Sequence, residues 1–170
     1  MRRHFQMFAA YNSWANGLVY DVAAKLSDDD YRRDMGAFFK SVHGTLNHIM
    51  VADRIWMKRF TAEGDHPKTL DAILFQQLAA LRSAREAEDR RIIAFVGSLD
   101  DRAFTGRFTY ITATDVRTVS QRLAPALSHF FNHQTHHRGQ VHAMLTALGQ
   151  DVPSLDLIQF QRTETGRMFA

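Results

Sequence analysis

Apolar residues recur at every third or fourth position through four long stretches of this chain, and the residues that break helices fall near the stretch ends. With three prolines and nine glycines in 170 residues, little interrupts the period. That commits the chain to long amphipathic helices. Phe8, Tyr11, Ala15, Leu18 and Val22, widened by Trp14, Val19 and Leu26, predict a helix over 3–26. Ser27, with Asp30 three residues on, reads as the cap of a short turn. Leu46, Ile49, Ala52, Trp56 and Phe60 predict a second helix over 41–61, which Gly64-Asp65-His66-Pro67 separates from the third. The third is expected over 69–99, on Leu70, Ile73, Leu74, Leu78, Leu81, Ile92, Phe95 and Leu99.

Residues 100–120 are of another kind. Phe104 to Thr112 mixes aromatics, Thr and Ile, which favour extended chain. The expectation is a long connection with a short strand pair. The last long helix begins between Arg122 and Pro125, runs to Leu148 and ends at Gly149. The tail, with Pro153, is expected to lie against the helices. Four helices, one long connection before the last and no internal repeat predict an all-α four-helix bundle, a single domain over 1–170.

Composition narrows the chemistry. There is no cysteine, which excludes disulfides, thiolate metal sites and a cysteine nucleophile. Lys and Arg number 21 against 18 Asp and Glu, a net charge of +3. The arginines are scattered, with Arg32-Arg33 and Arg90-Arg91 beside acids, so no basic patch argues for nucleic acid. The N-terminal stretch alternates apolar residues with Gln6, Asn12, Ser13 and Asn16, unlike the unbroken apolar core of a signal peptide. No apolar run approaches the roughly 18 residues a membrane span needs. A soluble, cytoplasmic protein is expected.

Nine histidines remain, five of them between 129 and 142. Extending the apolar stripe of the last helix gives Phe130, His133, His137, Val141, Met144 and Leu148. His133 and His137 thus occupy seam positions that ordinarily take Leu or Ile. Four residues apart, they share one face. Buried imidazoles cost free energy unless their nitrogens are bonded, and one metal ion satisfies both. His48, mid-helix among Leu46, Ile49 and Ala52, is the natural third ligand from a facing helix. His43 and His66 lie nearer segment ends and are poorer candidates. His129 is also four residues from His133 and stays open as an alternative to His137.

Longer sequence words carry a resemblance. Asn132-His133-Gln134-Thr135-His136-His137-Arg138-Gly139-Gln140 resembles the signature of the DinB-like (YfiT-like) metalloenzyme family, a name shared with an unrelated DNA polymerase. Tyr11-Asn12-Ser13-Trp14-Ala15-Asn16 resembles that family's first helix. Ser41-Val42-His43-Gly44-Thr45-Leu46-Asn47-His48-Ile49, followed by Ala52-Asp53-Arg54-Ile55-Trp56, resembles its second, and Pro153-Ser154-Leu155-Asp156-Leu157 its close. The resemblance implies an up-down-down-up bundle, a three-histidine divalent metal site at His48, His133 and His137, and a homodimer.

Three neutral imidazoles leave an ion its full charge and an open coordination position, as catalytic sites do. Zinc or nickel suits such a set best, and ferrous iron is also accommodated. Gln140, three after His137 and four after His136, is placed to orient either ring. Arg138 is a candidate ion-pair partner or anion receptor. Asp53 falls about 140° round its helix from His48 and is expected to meet the first helix or an arginine. His136 is turned away from its neighbour, towards packing or an interface, and Trp14 and Trp56 read as core. No His-Glu-x-x-His and no Ser-His-Asp order is present. The resemblance implies chemistry with a low-molecular-weight thiol on a small-molecule substrate, as a transferase or isomerase. A metal-dependent hydrolase and a non-catalytic, stress-associated metal-binding bundle are the alternatives.

Overall fold

A computed structural model of the chain describes residues 1–65, 67–112 and 116–170. The protein is mostly helical. Seven helices lie among the described residues: α1 (Arg2–Ala23), α2 (Asp28–Arg32), α3 (Val42–Thr61), α4 (Leu78–Ser98), α5 (Leu123–Ala147), α6 (Leu157–Gln161) and α7 (Glu164–Arg167). A two-stranded antiparallel sheet joins α4 to α5, with β1 (Arg107–Ile111) paired to β2 (Thr118–Arg122) and Thr109 opposite Ser120. No helix among the described residues is long and apolar enough to cross a membrane.

Local signals set most boundaries. Ser27 Oγ accepts from Asp30 N and caps α2, and Ser41 Oγ accepts from Gly44 N and caps α3. Gly149, with φ +76°, supplies the left-handed residue just past α5. The apolar stripes then meet. α1 packs on α4 and α5, while α3 packs on α5 and α4. One apolar cluster gathers Val19, Leu46, Ile49, Leu81, Val141 and Leu145, and a second gathers Phe5, Met57, Ile92, Leu127 and Phe130. The tail lies on α1, where buried Phe160 meets the rings of Tyr11 and Trp14.

The third helix is shorter than its apolar period predicts. Expected from residue 69, α4 begins at Leu78, and Leu70 and Ile73 are 41% and 40% exposed. The reason lies in α3, whose polar side chains capture the backbone that a longer helix would have used. Asn47 Oδ1 accepts from Phe75 N at 2.9 Å, and Asn47 Nδ2 donates to Phe75 O at 3.1 Å. His43 and His48 take the carbonyls of Phe75 and Leu70. Residues 67–77 are thereby held as a strap along α3.

Buried polar side chains also link the four long helices in a closed circuit. Gln134 on α5 donates to Asp53 on α3 at 2.8 Å, and Arg85 on α4 pairs with Asp53 and, at 3.0 Å, with Asp89. Asp89 accepts from Asn12 and Asn16 of α1 at 3.2 and 3.1 Å. Asn12 accepts in turn from Arg138, which returns the circuit to α5. Buried charges persist only when paired and hydrogen-bonded. Here each acid faces an arginine or amide donors.

Candidate metal centre

α3 and α5 lie side by side and bring their histidines face to face. His48 Nε2 stands 3.2 Å from His133 Nε2. One nitrogen from each of His48, His133 and His137 falls within a single group whose members are no more than 4.8 Å apart. The outer nitrogens fix which way two of the rings present themselves. His48 Nδ1 lies 2.7 Å from Leu70 O, and His137 Nδ1 lies 2.7 Å from Gln140 Oε1. A carbonyl oxygen can only accept, so each Nδ1 carries the proton and each Nε2 turns a lone pair inward.

Such a donor set fits a divalent ion. Nitrogen–zinc bonds of about 2.0–2.1 Å in a tetrahedron place neighbouring nitrogens roughly 3.3 Å apart, close to the His48–His133 separation. An outer hydrogen bond from a metal-ligating ring to a carbonyl or amide oxygen is the usual way of setting its orientation. Charge state agrees as well. Burial, with a smaller push from His137, pulls His48 down to about 4. Burial and the neighbouring imidazoles pull His133 down to about 3, and burial lowers His137. At neutral pH all three are neutral, the form that binds metal.

Phe39 roofs the site, its ring stacked on His48 at 3.6 Å and 15°. Gly44 permits that approach, because a Cβ there would stand 2.1 Å from the Phe39 carbonyl oxygen. Neither Phe39 nor the Leu70 carbonyl was foreseen from sequence. Phe39 lies outside every periodic stretch, and Leu70 was read as helix.

The other expected residues fall into place as follows. Gln140 binds His137 through its oxygen, and its nitrogen lies 3.4 Å from His136 Nε2. Arg138 is buried in the polar circuit with Asn12 and Asn16, its guanidinium 5.3 Å from the Tyr11 ring. Asp53 meets an arginine, Arg85, from a helix the sequence motifs do not include. His136 is exposed beside His137. His129 stays outside the three-histidine group, its ring 5.9 Å from that of His133 and 5.2 Å from Trp56. His43 is tied to Phe75 and Arg32. His66 lies outside the described residues.

The site opens sideways into a cavity of about 250 Å³ between α3, α5 and the β-hairpin, reached by His48 and His133. Trp56, expected in the core, is half-buried and forms part of its wall.

Comparison with known sequences decides the family. The model of the DinB family matches residues 1–168. The chain belongs to the DinB family. It is 28% identical over 150 residues to Protein DinB of Bacillus subtilis (strain 168), a match covering 82% of this chain and 83% of that protein. His48, His133 and His137 therefore stand together in a member of the family that the sequence words resembled.

Proposed function

We propose that His48, His133 and His137 hold a divalent ion and that the protein is a metal-dependent enzyme acting on small molecules, of the thiol S-transferase or isomerase type. The observation that carries this reading is the convergence of three neutral imidazoles beside an open cavity, two of them oriented by outer hydrogen bonds. Among the described residues no fourth His, Asp or Glu joins the group. Zinc or nickel suits the donors best, and ferrous iron is acceptable. A divalent ion so held supplies Lewis acidity, which lowers the pKa of a water or thiol bound to it.

The chain's own residues have defined parts. Leu70 O and Gln140 Oε1 keep the His48 and His137 lone pairs aimed inward. Phe39 shields one flank from water. The buried circuit through Asp53, Arg85 and Arg138 holds α3 and α5 at the spacing the histidines need. With no cysteine in the chain, the reacting sulfur must enter with a substrate. It would form a new bond to an electrophilic carbon, its proton passing to solvent and a proton returning to the displaced group.

We read the four long helices as an up-down-down-up bundle, supported by the packing of α1 on α4 and α5 and of α3 on the same two helices. The family resemblance supports a homodimer.

Zinc-loaded protein incubated with a panel of low-molecular-weight thiols and small electrophiles tests the activity. The expected result is thiol consumption that stops in His133→Ala. No consumption by any pair, together with hydrolysis of activated esters by the zinc-loaded protein, would replace transfer by hydrolysis.

A further inference from the structure

The cavity beside the histidines has a second chemical pole. His48, Ala52, Ile55 and Arg59 are spaced four, three and four residues apart along α3 and all reach the same cavity. Arg59 is three helical turns beyond His48, about 16 Å along the axis, and its long side chain leans back toward the helix N-terminus. Its guanidinium carbon lies 4.7 Å from the centroid of the Trp56 ring, one turn back, and 4.5 Å from that of Tyr110 on β1. Two aromatic rings therefore fix where the group sits.

They do not satisfy it. Among the described residues no carboxylate pairs with Arg59, and its buried Nε has no hydrogen-bond partner. Half-buried arginines elsewhere find acids: Arg91 takes Glu88 and Arg54 takes Asp65. Burial lowers the pKa of Arg59, and among the described residues only the Tyr110 hydroxyl opposes the effect. An ordered, partly desolvated guanidinium with free N–H groups is a receptor for an anion. A lone guanidinium matches a monoanion, and its planar fork matches a carboxylate in two parallel hydrogen bonds.

From this placement we infer that Arg59 is a specificity-determining residue that binds a carboxylate on the substrate, with the Trp56 and Tyr110 rings holding it in position. The inference rests on the three-histidine group being where that substrate reacts. The preferred substrate is then a small organic acid whose carboxylate reaches Arg59 while its reactive carbon lies at the histidines. The apolar cavity wall at Ala52, Ile55 and Leu70 accepts the carbon skeleton between them.

The test uses benzoate and its neutral isostere benzamide on chelator-treated full-length protein, so that a carboxylate cannot report on a metal. Affinities of wild type and variants are measured by titration calorimetry, and the place of binding is read from the Nε–H resonance of Arg59 in proton–nitrogen spectra, identified by its loss in Arg59→Gln. Benzoate should shift that resonance saturably and bind more tightly than benzamide. Arg59→Gln should weaken benzoate binding about ten- to a hundredfold, as expected for loss of hydrogen bonds to a charged group. Arg59→Lys, which keeps the charge but loses the fork, should recover part of the loss. Equal affinity for benzoate and benzamide, or unchanged benzoate affinity in Arg59→Gln, would overturn the proposal. Zinc loading of the same proteins is measured separately and should not differ between wild type and Arg59→Gln. Failure of wild type to load zinc would count against the histidine site alone, whatever benzoate does.

Discussion

Gln134 Nε2 donates to Asp53 Oδ1 at 2.8 Å, one residue along α5 from His133 and five along α3 from His48. That bond and the neighbouring pair of Asp53 with Arg85 lock the two histidine-bearing helices together out of reach of water. Burial pushes the Asp53 carboxyl up, against the pull of Arg85 and Gln134, which favour its charged form.

Asp53→Ala takes from buried Arg85 one of its two carboxylates. Breaking a buried pair from one side costs about 3–5 kcal/mol, so urea denaturation should show a loss of that order. Glu86→Ala, which breaks the exposed pair with Arg82, should change stability little. Equal stability of Asp53→Ala and wild type would contradict the structural role given to the circuit.

Gly44→Ala places a methyl group against the Phe39 carbonyl, which is backbone and cannot swing aside. The expected loss is about 1–3 kcal/mol, the usual cost of overpacking. Because the segment before α3 must move, the stacking of Phe39 on His48 should weaken, and the ring-proton shifts of His48 should change with it. A variant as stable as wild type with those shifts intact would mean that the close approach does not hold Phe39 in place.

Gln140 acts on the site through His137. Replacing it by Leu removes the acceptor of the His137 Nδ1 proton. Loss of such outer partners typically lowers metal affinity 10–100-fold. Competition with a chelator of known affinity measures this. Gln140→Glu keeps an acceptor and should retain tight binding.

His43 contributes to the pH dependence of stability. Its Nε2–H donates to Phe75 O at 3.1 Å, while Nδ1 faces Arg32, so the folded protein holds the ring neutral. Burial lowers its pKa from the ordinary 6.5, and Arg32 adds to the effect. The unfolded chain therefore binds more protons between the folded value and 6.5. The stability His43 contributes is present above pH 6.5 and is lost as pH falls through its lower folded value. His43→Gln can keep the bond to Phe75 but cannot titrate. Metal-free wild type should lose more stability than this variant between pH 7 and pH 5. Parallel curves would remove His43 from the pH response.

The histidine pair on α5 was legible because two imidazoles interrupt an otherwise apolar stripe, and His48 because it is polar among Leu46, Ile49 and Ala52. Helix period, the Ser27 cap and Gly149 likewise placed α1, α2, α3 and α5. What periodicity could not show was long-range capture of backbone. Leu70 and Ile73 keep helical spacing, yet Asn47 and His48 hold residues 67–77 as a strap. The pairing of Asp53 with Arg85 was also hidden, since Arg85 lies on a helix that the sequence motifs do not include. Arg59 carries a faint signal, eleven residues from His48 on the same helix face, but only the hairpin that brings Tyr110 over it makes the cavity.

The measurement closest to the central claim is metal content of protein made without a histidine tag, stripped with chelator, reloaded with zinc and dialysed. Wild type should retain about one ion per chain, as a site with three protein ligands allows. His48→Ala, His133→Ala and His137→Ala should each retain little, while His129→Ala matches wild type. Zinc retained at the wild-type level in all three ligand variants would contradict the account.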